Sequence, residues 1–140
     1  MACPVCLATT PQPAAAEVAE RSGVVARQTG QAIYGVIENM AGLPQPDGTV
    51  LELFGSGGGA RLAADVGVPL LGQVPLHPSM AAGGDAGTPV ALDDAEPLAA
   101  EFARIAGALV ANPPPVVSMD GCSARILERV EAAVAAGDTA

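Results

Sequence analysis

Three short apolar runs, separated by segments with helical periodicity, constrain the fold of this chain more than any other feature of its sequence. The runs cover residues 5–10, 32–38 and 69–74, and each leads into a proline or a small polar residue. Short, nearly continuous apolar runs are typical of strands that are covered on both faces of a parallel sheet. Because the carboxyl ends of parallel strands meet at one edge, we expect the residues that follow these runs to converge there and form the ligand site.

Helical periodicity fills the segments between and after these runs. Residues 13–28 predict an amphipathic helix. Its expected sheet-facing side includes Val18, Ala19 and Val25. A flexible glycine-rich loop over residues 55–59 is expected to open a second helix. The other segments are predicted as a loop at 41–49, a short strand or extended arm at 50–54, a helix at 60–66, a helical turn at 79–82, a flexible connection at 83–87, an extended stretch at 89–92 and a helix at 96–111.

The length of 140 residues favours one main domain, which we place at residues 1–111. A proline-rich stretch at residues 112–122 is expected to act as a linker. Residues 123–140 predict an amphipathic helix followed by a short tail, which either docks on the domain or projects from it as an interaction segment. The predicted fold class is therefore α/β with parallel strands.

The charge balance argues against several classes of partner. The chain carries six arginines and fifteen acidic residues, for a net charge of −9. It lacks a basic stripe, so we expect it to bind neither nucleic acid nor an anionic membrane surface. No apolar stretch approaches the roughly 20 residues that span a bilayer. With no charged segment before an apolar run at its start and only three cysteines, the chain is expected to be cytoplasmic.

Five short motifs carry a resemblance to a known family. They are Thr-Thr-Pro-Gln at residues 9–12, Gly-Val-Ile-Glu-Asn-Met at 35–40, Phe-Gly-Ser-Gly-Gly-Gly at 54–59, Leu-Leu-Gly-Gln-Val-Pro-Leu at 70–76 and Gly-Gly-Asp-Ala-Gly-Thr-Pro at 83–89. In this order and at these spacings, the motifs resemble the C-terminal part of the Mrp-type iron–sulfur cluster carrier ATPases. These are MinD-like P-loop proteins with a deviant Walker motif. The resemblance covers residues 7–110.

The resemblance implies a Rossmann-like layered fold, of which this chain would hold only the C-terminal portion. It also implies binding of ATP with Mg²⁺, a homodimer, and delivery of iron–sulfur clusters to apo iron–sulfur proteins. By resemblance, Asn39 recognises the edge of adenine, while Pro75, Leu76 and His77 flank the base. The chemistry of Asn39 is compatible with this role, because an amide offers a donor and an acceptor side by side.

Departures from the family pattern limit what the resemblance implies. The chain contains no lysine, which a P-loop uses to reach the β- and γ-phosphates, and no Walker B segment is found. Many members also carry a Cys-x-x-Cys pair after the Glu-Asn-Met strand, whereas residues 42–48 contain no cysteine. His77 stands where an aspartate is usual. We therefore expect a truncated or split product that does not hydrolyse ATP alone and pairs with a missing N-terminal ATPase half.

Two other functions stay open at this point. The chain is alternatively a non-enzymatic interaction module that pairs with a Walker-bearing partner through an exposed sheet edge. A second alternative is a small metal protein that uses Cys3 and Cys6, although this pair supplies only two of the four ligands of a usual site. His77 is equally compatible with a solvent-facing loop position, and Cys122 is expected to be a plain half-buried thiol.

Overall fold

The computed structural model describes residues 4–93 and 95–111, where parallel strands alternate with helices. The predicted linker, the predicted final helix, Cys3 and Cys122 lie outside the described residues. In chain order the elements are β1 (Val5–Thr9), α1 (Pro13–Gln28), β2 (Ile33–Asn39), β3 (Leu43–Pro44), β4 (Val50–Leu51), α2 (Gly58–Val66), β5 (Leu70–Val74), α3 (Pro78–Ala86), a 3₁₀ turn (Val90–Leu92) and α4 (Ala99–Ala111).

The three predicted strands form one parallel sheet in the order β1-β2-β5. The register places Leu7 of β1 opposite Val36 of β2, and Asn39 of β2 opposite Val74 of β5. The short strands β3 and β4 form a separate antiparallel pair. The predicted α/β class with parallel strands is therefore confirmed.

Helices cover both faces of the sheet and create two apolar clusters. The helices α1 and α2 pack on one face, while α4 packs on the other. The first cluster contains Leu7, Ala16, Ala19, Val36, Leu62, Ala63 and Val66. The second contains Leu71, Val74 and Ile105, with Phe102 packed against it. Among the described residues, no helix has the length and apolar character that crossing a bilayer requires.

The face of α1 that packs on the sheet differs from the prediction. The helix buries Ala16, Ala19, Gly23 and Ala26. By contrast, Val18 and Val25 remain 61% and 57% exposed, so their assignment to the packed face was wrong. The reason is close approach, because a Cβ on Gly23 would lie 3.1 Å from Leu7 Cδ1. Small side chains bring α1 near the sheet, and the valines are rotated away.

Helix α3 is longer than predicted and replaces the expected flexible connection. Its N-terminus has Pro78 in the first turn and His77 as the N-cap. The helix ends at Ala86, and its C-cap is Gly87. This glycine has a φ of 69° and so adopts the left-handed conformation that glycine tolerates. The Thr88 amide donates to the Gly83 carbonyl at 2.9 Å and completes the cap. Pro78 in the first turn and the C-cap at Gly87 thus stabilise a helix that contains two glycines.

The structure also differs from two smaller predictions. The stretch predicted as extended forms the 3₁₀ turn Val90–Leu92. The predicted strand at residues 50–54 is limited to Val50–Leu51, which pairs with Leu43–Pro44 inside the predicted loop. Asp47 supports the turn between them, because its Oδ1 accepts hydrogen bonds from the Thr49 amide and hydroxyl. These hydrogen bonds lower the pKa of Asp47.

Helix α4 docks on β5 through a glycine and a carboxylate. A Cβ on Gly72 would lie 2.4 Å from Ile105 Cγ1, so only glycine permits this approach. The Gln73 amide donates to Glu101 Oε1 at 3.2 Å. Arg104 donates to the same carboxylate and is the main reason why the pKa of Glu101 lies below its ordinary value. The contact therefore combines close packing with a charged group.

We expect Gly72→Ala to lower the free energy of unfolding by about 1–3 kcal/mol, because the added methyl group overpacks the contact with Ile105. The matched control is Gly84→Ala in α3, where an added Cβ meets nothing within 4 Å. We expect that variant to be neutral or slightly more stable, since alanine favours a helix. Urea denaturation of both variants tests this, and equal midpoints would contradict the close-approach explanation.

Candidate functional site

The carboxyl ends of β2 and β5 are joined by backbone hydrogen bonds. The Ala41 amide donates to the Val74 carbonyl at 3.1 Å, and the Leu76 amide donates to the Gly42 carbonyl at 2.7 Å. The structure therefore brings Asn39, at the end of β2, to the same edge of the sheet as Pro75, Leu76 and His77. We call this group of four residues the edge site.

Asn39 is half-buried at this edge, and its side chain is oriented by the backbone. Its Oδ1 accepts a hydrogen bond from the Met40 amide at 2.9 Å. Met40 has a φ of 57°, which is the left-handed region. Within the part of the chain that the structure describes, the Asn39 amide nitrogen has no hydrogen-bond partner. Its two donors are therefore available to a ligand, and Oδ1 keeps a second lone pair.

His77 is half-buried and belongs to a chain of three hydrogen-bonded side chains. Its Nδ1 lies 2.6 Å from Ser79 Oγ and 3.3 Å from the Ser79 amide nitrogen. The Ser79 hydroxyl donates to Glu96 Oε2 at 2.8 Å. His77 is thus an N-cap of α3 rather than a free loop residue, and the sequence analysis missed both partners.

Glu38 is a second residue that the sequence analysis missed. Only 1% of its surface is exposed, although it carries a carboxylate. Its Oε2 accepts a hydrogen bond from the Gly59 amide in the first turn of α2, and its Oε1 accepts one from Gln73 Nε2 at 2.7 Å. The sequence signal was an acidic residue within an apolar strand run. Glu38 joins β2, β5 and α2 immediately before Asn39.

Residues 55–57 form a loop before α2, as predicted, whereas Gly58 and Gly59 belong to the close-packed start of the helix. Gly58 and Gly59 are buried in α2. A Cβ on Gly59 would lie 2.6 Å from Glu38 Cβ, and one on Gly58 would lie 2.4 Å from the Pro11 carbonyl oxygen. The two glycines therefore let α2 begin directly against the ends of β1 and β2.

We expect Glu38→Ala to lower the free energy of unfolding by about 3 kcal/mol, because it leaves the Gly59 and Gln73 donors without an acceptor and opens a cavity. Glu38→Gln should cost less, since the amide keeps one oxygen acceptor. The control is Glu52→Ala at an exposed position, expected to stay within about 0.5 kcal/mol of the parent. Chemical denaturation measures all three, and equal costs for Glu38→Ala and Glu52→Ala would contradict the proposed network.

The edge of the sheet at β1 carries an apolar groove. In the described sheet β1 pairs only with β2. A groove of about 520 Å³ runs between β1 and α1, lined by Val5, Cys6, Val18 and Val25 among others. The two valines that turned away from the core therefore lie together on the surface beside this strand.

The described residues do not assemble a metal site. Among them no group of three or more His, Cys, Asp or Glu side chains could hold a metal ion. Cys6 lies on β1 and is exposed, yet partial desolvation raises the pKa of its thiol. A raised pKa disfavours the thiolate that binds metals. The structure leaves the Cys3–Cys6 hypothesis untested, because Cys3 lies outside the described residues.

A family model described as ParA, NUBPL iron-transfer P-loop NTPase, matches residues 2–110. This chain belongs to that family. The resemblance seen in the five motifs is therefore confirmed.

Several relatives of this chain carry descriptive names. The iron-sulfur cluster carrier protein of Mycobacterium leprae is 53% identical over 112 residues, which cover 75% of this chain and 29% of the relative. The protein of the same name from Saccharolobus solfataricus is 40% identical over 106 residues, covering 74% of this chain and 36% of the relative. The human cytosolic Fe-S cluster assembly factor NUBP2 is 41% identical over 73 residues, covering 51% of this chain and 27% of the relative.

The chain thus spans 27% to 36% of the length of these relatives. Among solved structures, it is similar to the cell division ATPase MinD of Pyrococcus furiosus, with a TM-score of 0.55 and 24% identity. The match covers 74% of this chain and 40% of the MinD chain. This likeness shows the fold alone.

Proposed function

We propose that this chain supplies the base-binding part of an ATP site in an iron–sulfur cluster carrier. The observation that carries the proposal is the edge site, where Asn39 and the loop of Pro75, Leu76 and His77 lie at the carboxyl ends of adjacent parallel strands. Ligands of open α/β sheets bind at this edge. The names of the relatives support only the iron–sulfur carrier part of this proposal.

The edge site has the groups that a purine requires. The Asn39 amide offers donors beside an acceptor oxygen, which suits the ring nitrogens and exocyclic group along the edge of adenine. Pro75 and Leu76 are half-buried and present apolar surface to the flat face of a base. Few convergent polar groups on an apolar wall are typical of small-molecule sites.

The phosphates and Mg²⁺ require residues that this sequence does not provide. It contains no lysine, and the described residues show no cluster of carboxylates suited to a metal ion. We therefore propose that the chain binds ATP weakly by itself and does not hydrolyse it. A Walker-bearing segment, in the same protein or in a partner, would complete the site. No hydrolytic step is assigned to this chain.

The proposed cargo is an iron–sulfur cluster, and the proposed recipients are apo iron–sulfur proteins. This part of the proposal rests on the names of the relatives. The described residues do not assemble cluster ligands, and the β3–β4 hairpin contains no cysteine. Ligands would therefore come from outside the described residues or from a second copy in a homodimer. The proposed location is the cytoplasm.

A thermal melt with and without millimolar Mg-ATP tests the base-binding role. At ligand about 100-fold above Kd, binding should stabilise the chain by about 2.7 kcal/mol. Asn39→Asp keeps the oxygen that accepts from Met40 but removes both amide donors, so most of this gain should disappear. Gln28→Glu makes the same charge change at an exposed position and serves as the control. A parent chain indifferent to ATP, or equal gains in all three proteins, would refute the base-binding role.

A second candidate function is that of an interaction module, and the β1 edge favours it. An exposed strand edge can pair with a strand from another segment. Beside it, Val18 and Val25 are more than half exposed. We propose as the occupant an apolar strand and helix from a Walker-bearing N-terminal half, which would extend the parallel sheet. This function is compatible with base binding, since the added half would carry the phosphate contacts.

Co-expression with the N-terminal half of a Walker-bearing relative tests this pairing. We expect the two chains to co-purify, and we expect the double variant Val18→Glu, Val25→Glu to abolish co-purification, because it places charges in the groove. The control is Val110→Glu at another highly exposed valine, 83% exposed on α4. Retention of the partner by the double variant, or a lone monomer with the unaltered chain, would count against the module.

A further inference from the structure

The hydrogen-bond chain His77–Ser79–Glu96 determines where the imidazole proton lies. A serine hydroxyl has one hydrogen to donate, and an ionised carboxylate only accepts. Because Ser79 Oγ donates to Glu96 Oε2 at 2.8 Å, its hydrogen is not available to His77. The 2.6 Å contact between Ser79 Oγ and His77 Nδ1 therefore requires a hydrogen on Nδ1. The Ser79 amide nitrogen, 3.3 Å from Nδ1, could donate only to an unprotonated Nδ1, so the ring protonated at Nδ1 gives up this longer contact for the 2.6 Å contact with the hydroxyl.

Glu96 is well placed to impose this arrangement. It precedes α4, where the Ala99 amide donates to the Glu96 carbonyl at 3.1 Å and the Glu96 amide donates to the Asp93 carbonyl at 2.9 Å. The neighbouring Leu98 is buried with only 4% of its surface exposed. Glu96 therefore belongs to an anchored segment, whereas His77 ends the loop of the edge site.

We propose that Glu96, acting through Ser79, holds neutral His77 in the tautomer protonated at Nδ1. The other ring nitrogen, Nε2, then carries a lone pair and accepts hydrogen bonds. In the described residues Nε2 has no hydrogen-bond partner. Glu96 and Ser79 are thus positioning residues that fix the hydrogen-bonding character of His77 without touching a ligand themselves.

This assignment has a consequence for specificity, which rests on the proposed base-binding function. An acceptor at the rim of the edge site favours a base that presents a donor. At position 6, adenine carries an amino group, whereas guanine carries an oxygen that only accepts. The Nδ1–H tautomer of His77 therefore favours adenine over guanine nucleotides.

Nitrogen NMR of the imidazole tests the tautomer directly, because His77 is the only histidine of the chain and its signals need no assignment. The measurement is made near pH 8, and the two nitrogen chemical shifts distinguish both neutral tautomers from a doubly protonated ring. We expect a protonated Nδ1 and an unprotonated Nε2 in the parent chain. Ser79→Ala and Glu96→Ala should shift the ring towards Nε2–H. Asp93→Asn removes a neighbouring carboxylate that is not part of the His77–Ser79–Glu96 hydrogen-bond chain, and it should leave the tautomer unchanged.

The outcomes separate this inference from the proposed function. The role of Glu96 would be overturned if the parent chain carried its hydrogen on Nε2, or if Ser79→Ala and Glu96→Ala both left the tautomer unchanged. Either result holds whether or not ATP binds. In a parallel titration with ATP and GTP, Glu96→Ala should weaken ATP binding about tenfold, as expected for one hydrogen bond, and GTP binding less. Equal losses would overturn the specificity. If the parent chain fails to bind ATP, base binding and specificity fail together, while the NMR result still decides the tautomer.

Discussion

The rest of this structure depends on the hydrogen bonds that the buried side chain of Glu38 accepts. It lies in the central strand and accepts hydrogen bonds from the backbone of Gly59 and the side chain of Gln73. A buried polar group is costly unless it is hydrogen-bonded, so the partners of Glu38 must be held accurately. In return, one side chain joins two strands and the start of α2. The next residue along the chain is Asn39, whose place at the sheet edge follows from this junction.

Local periodicity was sufficient to predict the three strands and α1, because buried parallel strands and amphipathic helices have distinct patterns. The same patterns did not predict which side of α1 packs. Hydrophobicity favoured Val18 and Val25, but the approach of Gly23 to Leu7 required small residues instead. The length of α3 was also missed, because Pro78 in the first turn and the C-cap at Gly87 outweighed two glycines within the helix.

The candidate site, too, could be predicted from the sequence only in part. Asn39 and residues 75–77 could be placed together from the sequence, because parallel strands end at one edge. Their role in binding a base stays a prediction. The partners of Ser79 and Glu38 could not be foreseen, since Glu96 lies 17 residues from Ser79 and Gly59 lies 21 residues from Glu38, and no local pattern indicates them. Such contacts are set by how whole elements pack.

The turn after β2 has a further consequence for any ligand at this edge. Because Oδ1 of Asn39 already accepts from the amide of Met40, the amide group is held in one rotamer before a ligand arrives. Immobilising a free side chain on binding usually costs about 0.5–1.5 kcal/mol. Here folding has already paid that entropy, and the left-handed backbone of Met40 is part of the same arrangement. The turn after β2 thus lowers the entropic cost of binding a ligand, because it fixes the Asn39 side chain beforehand at the expense of a left-handed backbone at Met40.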